Sequence, residues 1–133
     1  MPFVLDASPA VAWALGEPDS RAVLARERLR TDQALAPTLW WFELRNALLA
    51  NERRGRLTEF RMATFLQELS ELPISLDHSP HEATVLALAR RHRLTVYDAA
   101  YLELALREGV SLATLDGALA AAAKAEKVPA LGE

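Results

Sequence analysis

The chain has 133 residues, 51% of them apolar and 25% charged. That is the size of one domain with a real core, and it is too apolar for a disordered segment. There is no cysteine, which excludes disulfides, thiolate zinc sites and thiol nucleophiles and suits a reducing compartment. The formal net charge of −3 counts against a surface that grips nucleic acid all over, though not against a local basic groove.

The start of the chain lacks the basic leader of a secretory signal, and charges interrupt every apolar run before membrane-spanning length. A cytoplasmic protein with no membrane contact is expected. The only lysines are Lys124 and Lys127; every other basic side chain, histidines aside, is arginine.

Pro2 to Asp6 is a short apolar run closed by an acid and reads as a buried strand. Ser8 is then a candidate N-cap with Pro9 at the first helical position. Gly16, Pro18 and Asp19 mark a break. Ser20 to Arg30 reads as an amphipathic helix with Val23, Leu24 and Leu29 inward.

Ala34 to Ala36 is a candidate strand closed by Pro37. A long helix follows from about Thr38 to Arg54, stopped at Gly55. Thr58 caps the next, which runs to about Glu71.

Pro73 precedes ISLD, a clear strand. Ser79-Pro80-His81-Glu82 reads as a capping box opening a helix that ends in arginines. Thr95 caps a helix to Arg107, with Gly109 as its stop. Val110 to Leu115 is a strand candidate, and Asp116 starts an alanine-rich helix to about Lys127. Val128 to Leu131 is a candidate last strand. Strands alternating with helices imply an α/β domain spanning 1–133, with a mostly parallel sheet of four to five strands and helices on both faces.

Four acids stand out against this frame. Asp6 and Asp116 sit at carboxyl ends of parallel strands, where such sheets bind ligands, although each also reads as a helix cap. Glu43 lies in LWWFELRNALLA, with Leu39, Trp40, Asn46, Ala47 and Ala50 at helical spacing. A carboxylate on that face needs an arginine, a hydrogen-bond network or a metal to compensate its burial. Asp98 sits in VYDAAYLELA, beside Tyr101, Leu102 and Ala105, or else serves the helix dipole. Glu103 reads as solvent-facing, near Arg107 one turn on.

Several carboxylates in one pocket repel one another unless cations neutralise them. Oxygen donors without thiolates or a histidine cluster point to Mg²⁺ or Mn²⁺. Metal held by acids alone suits phosphoryl chemistry.

Four blocks in this order, VLDAS, PTLWWFELRNAL, TVYDAAYLELA and ATLDGALAAAA, resemble the PIN domain, and more narrowly the toxin half of VapBC-type toxin–antitoxin pairs. The resemblance covers nearly the whole chain. It implies a Mg²⁺- or Mn²⁺-dependent endoribonuclease, held in check by a small antitoxin protein and forming a homodimer. Asp6, Asp98 and Asp116 match the family's metal-holding acids, with Glu43 as a further ligand or water-orienting base. Ser8, Asn46 and Thr114 match positions that support those carboxylates. The expected reaction is in-line attack by water on an RNA phosphodiester, leaving a 5′-phosphate. Some relatives carry a further acid after the last one; Gly117 to Ala125 has none.

Arg45, Arg53, Arg54 and Arg56 are candidate phosphate binders, or a solvated helix end. Trp40 and Trp41 are expected in the core. His78 and His81 flank a proline at a helix start and are read as structural. A phospho-accepting receiver domain would need a second acid after Asp6 and a late-strand lysine, and the chain has Ala7 and no lysine before Lys124. A phosphate-binding NTPase would need a G-x-x-x-x-G-K-[ST] loop, which is absent. The remaining alternative is a non-catalytic relative that keeps the fold as a binding module.

Overall fold

The computed structural model describes residues 1–133. Phe3, Val4 and Leu5 carry no polar side-chain group and are all buried, and they form β1 (Phe3–Leu5). After it come α1 (Ala7–Leu15), α2 (Ser20–Arg28), β2 (Ala34–Pro37), α3 (Leu39–Arg53) and α4 (Glu59–Leu69). Then follow β3 (Ile74–Asp77), α5 (Glu82–His92), α6 (Val96–Glu108), β4 (Leu112–Ala113) and α7 (Gly117–Ala125). The strands form one four-stranded sheet in the order β3-β2-β1-β4, with every pairing parallel.

That order dictates the layering. Parallel crossovers are right-handed. The steps β1 to β2 and β2 to β3 run one way along the sheet and place α1 to α4 on one face. The step β3 to β4 runs back across the sheet, which places α5 and α6 on the other. There α6 packs on β1, β2 and β4, with α5 and α7 beside it. Between β1 and β4 the direction of winding reverses, and the crevice at such a switch point opens at the strands' carboxyl ends. The core includes Phe3, Leu5, Leu44, Leu48, Tyr101, Leu102, Leu104 and Leu119. No helix is long and apolar enough to cross a membrane.

Helix ends follow the local chemistry. Thr58, Thr95 and Asp116 cap α4, α6 and α7 by accepting from Arg61, Asp98 and Leu119 backbone N–H groups. Gly16 and Gly109 close α1 and α6 at φ of 68° and 65°, a backbone state that favours glycine.

Several expectations need correction. Ser8 does not cap α1: the helix starts two residues earlier, at Ala7 after Asp6. Ser79 does not cap α5. His81 does, accepting from the Thr84 N–H through Nδ1, while the Ser79 N–H bonds Asp77.

On α2 the inward stripe is Ala22, Ala25 and Leu29, and Val23 is exposed. Small alanines let that helix approach closely, which outweighs the larger side chain. The Val110–Leu115 candidate shrinks to Leu112–Ala113 because β1, its only strand partner, is itself three residues long. The final candidate strand reduces to one parallel bridge, Ala130 to Leu112.

Trp41 is not in the core. It is 44% exposed, edge-on to Phe42, with the Arg45 guanidinium 4.0 Å above its ring. Glu103 is 2% exposed rather than solvent-facing. It accepts from the His81 N–H and from Arg107, which also holds Asp77 at the end of β3. Its pairing with Arg107 one turn on is as expected.

Candidate active site

Asp6 leaves the end of β1 beside the end of β4, its N–H bonded to the Ala113 carbonyl. The residue is 7% exposed, yet it lines an open cleft of about 460 Å³. Two hydroxyls hold one of its oxygens. Ser8 Oγ and Thr114 Oγ1 each donate to Oδ2 at 2.7 Å. Each hydroxyl in turn accepts a backbone N–H, from Leu115 at 2.9 Å and Asp116 at 3.0 Å. Each hydroxyl thus has its proton committed to Asp6, and the loop after β4 is stitched to β1 through them. No protein group bonds Asp6 Oδ1.

The same cleft is lined by Glu43 from α3, Asp98 from α6 and Asp116 from the head of α7, and no basic side chain lines it. Burial raises the Glu43 pKa first, and the charges of Asp6 and Asp98 add to that. The bond from Tyr101 Oη to Glu43 Oε1, at 2.5 Å, opposes the rise. Asp98 is raised by burial, then by Asp116 and Asp6. Asp116 spends Oδ2 on capping α7, accepting the Leu119 N–H at 2.8 Å.

All four expected acids thus face one cleft, with Ser8 and Thr114 bonded to the first of them. The others fall elsewhere. Asn46 is exposed on α3 and outside the cleft lining. Arg45 points into a separate groove between α3 and β3, with Leu69, Leu72 and Ile74. Arg53 is exposed at the far end of α3.

Two lining or supporting residues had no mark in the sequence. Tyr101 reads in the sequence only as a neighbour of Asp98 on its helix; it is in the core, and its hydroxyl bond to Glu43 crosses from α6 to α3. Glu17 lines the cleft's outer end, where the Gly16 turn sends its N–H back to the Ala12 carbonyl. At about 1.5 Å per residue, α1 separates Glu17 from Asp6 by roughly 15 Å.

The donor set fits a hard divalent cation: carboxylate oxygens only, mutually repelling, with Asp6 Oδ1 left free of any protein partner. As placed, no three of these side chains converge closely enough to hold one ion.

Residues 3–125 match the model of the PIN domain. The chain belongs to the PIN-domain family. Within it, the chain is 42% identical over 138 aligned residues to Ribonuclease VapC3 of Pyrobaculum aerophilum, covering 98% of both proteins. It is 34% identical to Ribonuclease VapC3 of Mycobacterium tuberculosis, over 90% of this chain and 85% of that protein. These relatives place it among the VapC-like PIN domains. The crystal structure of PAE2754 from Pyrobaculum aerophilum superposes with a TM-score of 0.68 at 28% identity, over 92% of this chain and 87% of that one.

Proposed function

We propose that this PIN domain is a ribonuclease, the toxin of a toxin–antitoxin pair, and that it hydrolyses RNA phosphodiester bonds with Mg²⁺ or Mn²⁺. The observation that carries this reading is Asp6, buried and oriented by two hydroxyls, with a free oxygen on a cleft shared by three more carboxylates. Its similarity to two proteins named ribonucleases supports the choice of reaction.

Asp6, Glu43, Asp98 and Asp116 would hold the ion once their side chains draw together in the cleft they share. A bound divalent ion makes water a nucleophile near neutral pH and offsets charge on the phosphate. The chain's own contribution is positional. Ser8 and Thr114 fix the plane of the Asp6 carboxylate, and the α6 backbone fixes Asp98 through the Thr95 cap. Glu43 is half-buried with a raised pKa, and its unbonded oxygen, Oε2, serves either as a ligand of the ion or to orient the attacking water. Attack of water on phosphorus would break the bond to the 3′ oxygen, which takes up a proton and leaves as a 3′-hydroxyl, with a 5′-phosphate on the other fragment. The whole chain would work as one unit, inhibited by a small antitoxin and paired as a homodimer. Trp41, Phe42 and the 79%-exposed Phe60 offer apolar surface for such contacts.

Calorimetric titration of Mn²⁺ into metal-free protein, followed by cleavage of labelled single-stranded RNA, tests the reading. The parent should bind Mn²⁺ and cut RNA, and a chelator should stop the cutting. Asp98→Asn should lose both while staying folded. Metal-independent cleavage by Asp98→Asn, or a folded parent that binds no Mn²⁺, would overturn it.

A further inference from the structure

Three of the four carboxylates have one oxygen tied up by the protein itself; for Asp116 it is Oδ2, which accepts the Leu119 N–H. Asp6 gives Oδ2 to Ser8 and Thr114, and Glu43 gives Oε1 to Tyr101. Tyr101 stands apart from the other two hydroxyl donors. It is wholly buried, it lies outside the cleft lining, and it reaches Glu43 from 58 positions away, from α6 to α3. Its hydroxyl has no other partner. If Glu43 turned both oxygens into the cleft, that hydroxyl would be left buried without an acceptor.

We propose that Tyr101 is a positioning residue that sets the ion preference of the cleft, by restricting Glu43 to a single oxygen donor. This rests on the reading above that the four carboxylates hold a divalent ion.

Ions differ in what they ask of a carboxylate. Ca²⁺ takes roughly six to eight oxygens at about 2.3–2.6 Å and often uses both oxygens of one carboxylate. Mg²⁺ demands a near-ideal octahedron at about 2.0–2.1 Å, keeps several waters and uses few carboxylate oxygens. A cleft in which Tyr101 holds Glu43 Oε1 and two hydroxyls hold Asp6 Oδ2 discourages two-oxygen binding by either carboxylate, which disfavours Ca²⁺ more than the smaller ion. The three hydroxyls therefore act together, two on Asp6 and one on Glu43.

The test is calorimetric titration of Mn²⁺ and, separately, Ca²⁺ into metal-free parent and Tyr101→Phe. The substitution keeps the ring and removes only the donor. Mn²⁺ should bind roughly tenfold more weakly to the variant, the scale at which groups behind a ligand matter. Ca²⁺ should bind as before or more tightly, so the ratio of the two affinities falls by about the same factor. A general loosening of the fold would weaken both ions alike, and that result, or an unchanged ratio, overturns the proposal.

Should Tyr101→Phe not fold, Thr114→Val removes one donor from Asp6 and is expected to move the ratio in the same direction; an unchanged ratio there overturns it equally. A parent that binds no Mn²⁺ defeats the carboxylate-site reading, and this proposal with it. A parent that binds Mn²⁺ while the variants keep its ratio defeats this proposal alone.

Discussion

Asp98 enters from the first turn of α6 into a cleft that already holds Asp6 and Asp116, and its pKa is raised by burial and by those charges. Glu43 is raised for the same reasons in the same order, burial first. A raised carboxyl binds its proton more tightly folded than unfolded. Its contribution to stability is fully present below the unfolded pKa, near 4, and is lost as pH rises through the folded value. In metal-free protein Asp98→Asn removes one such loss. The variant should melt above the parent at pH 7, and the gap should narrow as pH falls and the parent's Asp98 takes up its proton. Calorimetric melting of both proteins across that range checks it. A variant that melts lower at pH 7 would mean that Asp98 has a favourable partner and is not repelled.

The caps of α4 and α6 use the same chemistry for different ends. Thr95 Oγ1 accepts the N–H of Asp98 itself at 3.0 Å, so the cap holds the turn that carries a cleft acid. Thr58 Oγ1 accepts the Arg61 N–H at 3.1 Å, on a helix that supplies nothing to the cleft. Thr95→Ala and Thr58→Ala should each cost about 1 kcal/mol in denaturant unfolding. Only Thr95→Ala should also weaken Mn²⁺ binding. Equal Mn²⁺ affinities in the two variants would show that the α6 cap does not help place Asp98.

Across the whole molecule, one ionic network ties elements that the topology brings together from both directions of winding. Arg107 on α6 binds Glu103 one turn earlier and both oxygens of Asp77 at the end of β3, while Glu103 also receives the N–H at the head of α5. Arg107→Ala leaves Glu103 buried with one donor, and breaking such a pair should cost about 3 kcal/mol, read as a lower denaturant midpoint. The Arg107 bond holds the Asp77 pKa below its usual value. That contribution is present above the unfolded pKa and is lost as pH falls through the folded one. The penalty of Arg107→Ala should therefore shrink in acid; a pH-independent penalty would argue that packing, not charge, accounts for the loss.

Local physics made much of this protein readable from its residues alone. Apolar runs marked β1 and β3, Thr58, Thr95 and Asp116 announced helix starts, and Gly16 and Gly109 marked ends, because caps and periodicity act over a few residues. The strand–helix alternation then required a parallel sheet. Acids inside apolar helices were conspicuous for their cost of burial, which is why Glu43 and Asp98 could be singled out beside Asp6 and Asp116.

What those side chains meet was decided only in three dimensions. Thr114 reaches Asp6 across 108 positions and Tyr101 reaches Glu43 across 58, pairings set by crossover direction and strand order. Glu103 looked solvated because its helical neighbour Arg107 was visible while β3 and α5 above it were not. Trp41 looked buried because α3 is apolar nearly all round, and the sheet covers one side of a helix only. The residues named themselves as acids; which of their oxygens faces the cleft was fixed by the packing of α3 and α6 and by the hydroxyls at the ends of β1 and β4.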